Sequence, residues 1–149
     1  YHNMYKGYNN RIDELQAGLL SVKLKYIAEW TAERQRIGER YLRNLAGTDG
    51  LVLPYTHPEA SHVYHLFVVR CDHRDELQSY LEQNGVKTVI HYPIPPHLQE
   101  AYKSSGFKKG DYPLAEMLAE TSLSLPLFPG ISDEQVDYVS DLVRKFFKS

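Results

Sequence analysis

A proline-rich segment places the strongest constraint on how this chain can fold. Residues 91–97 contain three of the eight prolines, at positions 93, 95 and 96, and a histidine stands at each end. Proline fixes its own φ and restricts the residue before it, so this segment has a preset shape and must end a strand. It can present His91, Tyr92 and His97 for hydrogen bonding to a polyhydroxylated or phosphorylated ligand. A purely structural turn is the alternative interpretation.

A second polar segment, Gly7–Arg11, is predicted to open a helix. Asn9 or Asn10 can cap that helix. Free N–H groups at a helix N-terminus, together with an Asn amide and Arg11, can bind a phosphate or a carboxylate. An ordinary turn followed by a helix cap explains the same residues, and on this motif alone it is the favoured interpretation.

Composition and charge exclude several classes of partner. The formal net charge is −2 and basic residues are scattered among acidic ones, so we expect no nucleic-acid partner and no anionic membrane. No apolar run approaches the ~20 residues of a membrane span. Cys71 is the only cysteine, which excludes an internal disulfide and favours a reducing, cytoplasmic location.

The chain shows no signature of a catalytic or metal centre. It has no glycine-rich phosphate loop, no serine nucleophile elbow and no paired carboxylates that can be defended. The proline-rich segment has no nearby cysteine and no carboxylate at a recognised ligand spacing, which disfavours a metal site. We therefore assign no catalytic residue and no metal ligand.

Patterning predicts an α+β fold in two parts. Residues 1–46 form a helical segment, and residues 47–149 form a small α+β domain. That domain contains a three-stranded, mostly antiparallel sheet with helices on one face. The predicted helices are about 10–25, 27–45, 74–83, a weak one at 98–103, one starting at Pro113 and one following a capping box at Ser132; the predicted strands are 62–71, 86–91 and 121–125.

Four sequence blocks, in order and at sensible spacing, resemble one known family. They are the Gly-x-Asn-x-Arg block running through residues 7–17, residues 34–42, the proline-rich segment 91–97, and the Leu-Ser-Leu-Pro-Leu-Phe-Pro block 123–129. Together they look like the C-terminal part of the DegT/StrS sugar aminotransferases. Any one block is modest evidence, and four in sequence are strong evidence.

The resemblance implies a fold-type-I enzyme that depends on pyridoxal phosphate. It also implies that residues 1–46 come from the large-domain/small-domain junction and that residues 47–149 are the small C-terminal domain. Such an enzyme transfers an amino group, usually from glutamate, to a keto sugar carried on a nucleotide, and it is a homodimer with active sites at the subunit interface. By position, Asn9 would contribute to the cofactor phosphate of the neighbouring subunit. Arg11, His91, Tyr92 and, with a weaker match, His97 would approach the partner's site and its substrate.

The resemblance also places the Schiff-base lysine upstream of the Gly-x-Asn-x-Arg block, before Tyr1. We therefore expect the chain to be a fragment that is inert alone and supplies only the interface half of each site. Two alternatives stay open: a non-catalytic α+β binding or regulatory module, and a sugar dehydratase on the same fold.

Overall fold

A computed structural model describes residues 1–148 of the chain. It contains five α-helices, two strands and two short 3-10 helices within that range. In chain order they are α1 Glu14–Leu24, α2 Ile27–Leu45, β1 Phe67–Arg70, α3 Arg74–Gln83, the 3-10 helices Pro96–Leu98 and Glu100–Ser105, α4 Pro113–Thr121, β2 Ser122–Leu125 and α5 Asp133–Phe146.

The core forms where α2, α3 and α5 pack against one another and against the sheet. Helix α2 runs along α5, and α3 contacts both α5 and β2. Apolar residues recur at helical spacing on α2 and α5, as the sequence predicts; the α5 stripe is mostly buried, whereas the α2 stripe is buried from Ile37 onward and Ile27 is half exposed. The fully buried large side chains include Ile37, Tyr41, Leu45, Phe67, Val69, Leu77, Leu81, Leu123, Val136 and Val143. Helix α2 thus belongs to the same core as the α+β lobe.

Helix α1 differs from its prediction at both its start and its packing. It begins at Glu14, and the side chain of Asp13 caps it by accepting the Gln16 N–H at 2.7 Å. The predicted cap at Asn9 or Asn10 is therefore wrong, because the Asp13 carboxylate already satisfies the first turn. No residue of α1 is buried, so its predicted apolar side has no partner among the described residues.

The sheet has two strands, and the prediction of three is wrong. Strands β1 and β2 pair antiparallel, with Phe67 opposite Leu125. The predicted second strand, 86–91, forms one isolated bridge from Val89 to Ser124. A longer ladder cannot form, because the Val86 N–H bonds back to Leu81 at the end of α3 and the chain reaches its prolines soon after Val89.

Strand β1 is shorter than the predicted segment 62–71. The backbone of Tyr64 has a φ of +47°, which is incompatible with an extended strand. The Arg34 guanidinium donates to the carbonyls of Tyr64 and His65 at 3.1 and 3.0 Å, so an α2 side chain occupies groups that a strand would need. The strand therefore begins only at Phe67.

Several local predictions are confirmed. Helix α2 spans Ile27–Leu45 as expected, and α4 begins at Pro113, where a missing N–H costs nothing. The capping box at Ser132 and Gln135 is present at the start of α5. The weak helix predicted at 98–103 is a 3-10 helix, Glu100–Ser105.

Candidate functional site

The segment preceding Gly7 lies against the proline-rich segment, and Gln99 joins the two. The Gln99 amide nitrogen donates to the carbonyls of Tyr1 and Ile94 at 3.1 and 3.0 Å, and its Oε1 accepts the Asn3 N–H at 2.8 Å. The Ala101 N–H donates to the Asn3 carbonyl at 2.9 Å. A single buried amide therefore holds residues 1–3 beside the proline-rich segment. Nothing in the sequence distinguishes this glutamine from an ordinary surface residue.

Aromatic rings gather where these segments meet. The ring of Tyr1 lies 5.6 Å from that of His91 and 5.0 Å, edge-on, from that of Tyr92. Tyr92 is more than half exposed, so its ring is available to a ligand. The rings of Tyr1 and Tyr92 border an open cleft of about 310 Å³, which is lined by Tyr1, Asn3, Tyr92, Ile94, Pro96, Gln99 and Tyr102. His91 contacts both rings but does not itself line the cleft.

His91 is anchored from the sheet. Its Nδ1 lies 2.8 Å from the hydroxyl of Ser124 in β2, and Ser124 is the residue that pairs with Val89. The single bridge at Val89 thus brings the chain close enough for this contact. The sequence marks Ser124 only as part of a strand, so its contact with His91 was not foreseen.

His97 occupies a different environment from His91 and Tyr92. Its Nε2 lies 2.9 Å from a carboxylate oxygen of Glu116, and both side chains are buried. The same carboxylate accepts the N–H of Gly110 at 2.8 Å, which ties the loop before α4 to the proline-rich segment. His97 does not line the cleft. Its role in substrate binding stays a prediction, and its contacts are structural.

The Glu116 carboxyl is held in its charged form. Burial raises its pKa, but the hydrogen bonds from His97 and from the backbone N–H groups of Gly110 and Tyr112 lower it. The net pKa lies below the ordinary value of 4.5. The pair therefore works as a fixed brace at neutral pH.

Asn9 and Arg11 are exposed in the extended segment before α1. They do not sit at the helix N-terminus, because α1 begins at Glu14, so the prediction that free N–H groups of the helix join them in an anion site is wrong. Neither side chain has a hydrogen-bond partner among residues 1–148. Both keep their polar groups available for a ligand, and their binding roles stay predictions.

Other parts of the described chain lack chemical candidates. Residues 1–148 contain no cluster of three or more His, Cys, Asp or Glu that could hold a metal ion, and none of their helices could cross a membrane. Burial raises the pKa of the Cys71 thiol to about 11, which makes it a packing residue and not a nucleophile. Two larger clefts, beside Trp30 and beside Tyr138, include none of the predicted site residues.

Known sequences match this chain along nearly its whole length. The sequence profile of the DegT/DnrJ/EryC1/StrS aminotransferase family matches residues 1–144. The erythromycin biosynthesis sensory transduction protein EryC1 of Saccharopolyspora erythraea is 46% identical over 93% of this chain and 38% of its own length. A dTDP-3-amino-3,4,6-trideoxy-alpha-D-glucose transaminase of Streptomyces venezuelae is 41% identical over 98% of this chain and 38% of its own length.

Solved structures agree with these sequence matches. The crystal structure of S. venezuelae DesV superposes with a TM-score of 0.89 at 41% identity, covering 97% of this chain and 39% of that one. A DegT DnrJ EryC1 StrS aminotransferase from Brucella abortus gives a TM-score of 0.81 at 30% identity, over 97% and 40%. The chain thus spans about two fifths of the length of the relatives that it matches.

Proposed function

Because the chain belongs to the DegT/DnrJ/EryC1/StrS aminotransferase family, we propose that it forms the interface half of a sugar aminotransferase site. The protein would transfer an amino group from glutamate to a keto sugar carried on a nucleotide, with pyridoxal phosphate as the cofactor. The observation that carries this proposal is the agreement with the S. venezuelae transaminase and DesV along nearly the whole chain.

The residues present fit part of a pyridoxal phosphate site. Asn9 and Arg11 offer an amide and a guanidinium that have no other partner within residues 1–148, and both can donate to an anionic oxygen. The cleft contains no lysine, and the Lys6 ammonium lies over the ring of Tyr102 at 5.3 Å from its centre. When bound, the cofactor supplies the electron sink for amino-group transfer. The lysine that holds it would come from sequence outside this chain.

The chain's own residues would bind and orient the two ligands. We assign the Asn9 side-chain amide to the cofactor phosphate of a neighbouring subunit. We assign Arg11 to an anionic group of the substrate, because its charge is permanent and its donors are planar. Tyr92, at the cleft, and the adjacent His91 would receive the nucleotide-sugar, with the Tyr92 ring providing an apolar face and a polar hydroxyl.

The surface of α1 supports a homodimer. Three leucines of this helix, Leu15, Leu19 and Leu24, are all more than 60% exposed, and none of its residues is buried. A helix that exposes this much apolar surface is ordinarily covered by protein. We propose that a second subunit and the remainder of the aminotransferase cover it, which would also bring Asn9 and Arg11 to another subunit's site.

Two further assignments extend the proposal. The division into a junction segment 1–46 and a C-terminal domain 47–149 stays a prediction, with the qualification that α2 contributes Ile37, Tyr41 and Leu45 to the common core.

Nucleotide-sugars and glutamate as substrates favour a cytoplasmic location.

The comparisons favour neither alternative function. EryC1 is named as a sensory transduction protein, but the S. venezuelae relative is named for a transaminase activity and DesV matches in structure. Nothing in the comparisons points to a dehydratase.

One assay separates these three functions. The complete gene product containing this chain is purified with pyridoxal phosphate and incubated with a nucleotide-linked 3-keto sugar and glutamate. Formation of 2-oxoglutarate and an amino sugar supports the proposal. Loss of a sugar hydroxyl without nitrogen transfer indicates a dehydratase. Absence of turnover over a panel of dTDP- and UDP-linked keto sugars refutes the aminotransferase assignment and favours a binding module.

A further inference from the structure

Ser124 is a buried polar residue whose side chain forms a hydrogen bond with one neighbour, His91. It lies in β2 and is 5% exposed. Its backbone N–H and C=O pair with Val89 at 2.8 and 3.3 Å, so they do not need the hydroxyl. Its Oγ lies 2.8 Å from Nδ1 of His91, and within residues 1–148 this is the hydroxyl's one hydrogen-bond partner.

The direction of this hydrogen bond follows from counting donors. A serine hydroxyl has one proton to donate, and a neutral imidazole has one donor and one acceptor nitrogen. If Nδ1 donated to Ser124, the buried hydroxyl proton would have no acceptor among the described residues. An unsatisfied buried donor is costly, so the hydroxyl donates and Nδ1 of the neutral ring accepts.

We propose that Ser124 is a positioning residue that holds His91 as the Nε2–H tautomer and turns that N–H toward the ligand. No described residue bonds to Nε2, so this nitrogen stays available. The rings of Tyr1 and Tyr92, centred 5.6 and 5.5 Å from that of His91, restrict rotation of the imidazole. The functional part of the inference rests on the proposed role of His91 in substrate binding.

This arrangement determines the chemistry that His91 can offer. In its neutral form it offers a hydrogen-bond donor at Nε2, and a nitrogen that already carries a proton cannot also accept one. The matching ligand group is an acceptor, such as a phosphate oxygen, a carboxylate oxygen or a sugar oxygen. His91 is thereby a binding residue that recognises an acceptor, and not a general base, in the reaction proposed above.

The tautomer can be read directly by NMR on the chain itself. Long-range ¹H–¹⁵N spectra of ¹⁵N-histidine-labelled protein are recorded above the pH range in which imidazoles titrate, and His91→Gln identifies the signal of His91. We expect the Nε2–H pattern with a hydrogen-bonded Nδ1. An Nδ1–H pattern in the unmodified chain overturns the proposal.

Three variants show whether Ser124 is the cause. Ser124→Ala should convert His91 to a mixture of tautomers, and Ser124→Thr, which keeps a hydroxyl, should restore the Nε2–H form. Ser122→Ala is the matched control, because Ser122 is equally buried in the same strand and has no side-chain hydrogen bond within the described residues. A single Nε2–H form in Ser124→Ala refutes the role of Ser124. If that variant fails to fold, the unmodified chain and Ser124→Thr still decide the question.

A kinetic measurement then tests the link to substrate. In the complete gene product, Ser124→Ala should raise KM for the nucleotide-sugar about two- to tenfold with a smaller change in kcat, and Ser124→Thr should recover it. An unchanged KM contradicts the functional part of the inference. The NMR result does not depend on any substrate, so it stands or fails independently of the aminotransferase proposal.

Discussion

Gly38 of α2 lies directly against the ring of Tyr64. A Cβ placed on residue 38 would lie 2.6 Å from Cδ2 of that ring, closer than real Cβ contacts. Tyr64 is buried and its ring stacks on His62 with centroids 4.2 Å apart. Its φ of +47° turns the chain just before β1. Absence of a side chain at position 38 therefore permits the turn that leads into the sheet.

Gly38→Ala should destabilise the protein. Overpacking a buried site costs about 1 to 3 kcal/mol, and the better helix propensity of alanine returns about 1 kcal/mol of that. We expect the free energy of unfolding to fall by up to about 2 kcal/mol in urea denaturation. Gly18→Ala in α1 is the control, because nothing lies within 4 Å of its Cβ and only the propensity gain applies. Equal effects at both positions would contradict the packing argument.

Tyr41→Phe should cost about 1 kcal/mol of stability. The buried Tyr41 hydroxyl donates to the Pro126 carbonyl at 2.9 Å, and phenylalanine keeps the ring but not this bond. The measurement is the denaturant midpoint at constant slope. Tyr55→Phe, at an exposed position, should leave the midpoint unchanged. A midpoint for Tyr41→Phe equal to that of the unmodified chain would show that the bond is not formed.

Gln99→Leu should release residues 1–3 from the proline-rich segment. The substitution preserves approximate volume but removes three hydrogen bonds that join Tyr1, Asn3 and Ile94. Exchange of the Ala101 amide, which bonds to the Asn3 carbonyl, should accelerate on the order of tenfold. Gln83→Leu, at an exposed position in α3, is the control. Unchanged protection at Ala101 would mean that Gln99 does not hold the segment.

The His97–Glu116 pair should make stability depend on pH in the acid range. The folded pKa of Glu116 lies below its ordinary value of 4.5, so its contribution is complete above that pH and is lost as the pH falls through the folded pKa. The stability difference between the unmodified chain and Glu116→Gln should therefore shrink on acidification. Urea titrations at neutral pH and below pH 4.5 measure it.

Glu59→Gln, at an exposed loop position, is the control for this titration. A stability difference between the unmodified chain and Glu116→Gln that stays constant with pH would exclude Glu116 as the titrating group.

Asn9→Ala should weaken cofactor binding in the complete gene product. Loss of one hydrogen bond to a charged phosphate should raise the dissociation constant for pyridoxal phosphate about tenfold, as followed by absorbance titration. Asn10→Ala is the adjacent control, since both residues are exposed in the same segment. An unchanged constant in Asn9→Ala would remove the phosphate role.

Sequence patterns predicted the parts of this fold that are governed by local chemistry. The 3.6-residue stripe of α2, the proline at the start of α4 and the capping box of α5 each act within a few residues, and all three are confirmed. The prediction of a strand at 86–91 failed because the length of that strand depends on tertiary contacts. The Val86 N–H is taken by α3, and no local pattern reveals that.

The candidate site likewise contains residues that the sequence could identify and residues that only the structure reveals. His91 and Tyr92 stand out in sequence because the prolines restrain them, and the structure places their rings in contact, with Tyr92 lining the cleft. Gln99 and Ser124 could not be recognised, because their roles arise from partners 96 and 33 residues away. His97 looked equivalent to His91 in sequence, and only the packing of α4 separates them by giving His97 a buried carboxylate.

The solvent exposure of α1 has a consequence for the stability of this helix in water. Eleven residues are too few for a helix to persist by intrinsic propensity, and α1 gains no stabilisation from burial. The amide protons of α1 should therefore exchange fastest among the five helices. The helical circular dichroism signal should increase when a protein partner covers α1. Stable helical order in α1 thus depends on contacts with other protein, so this helix completes its folding only when the subunits assemble.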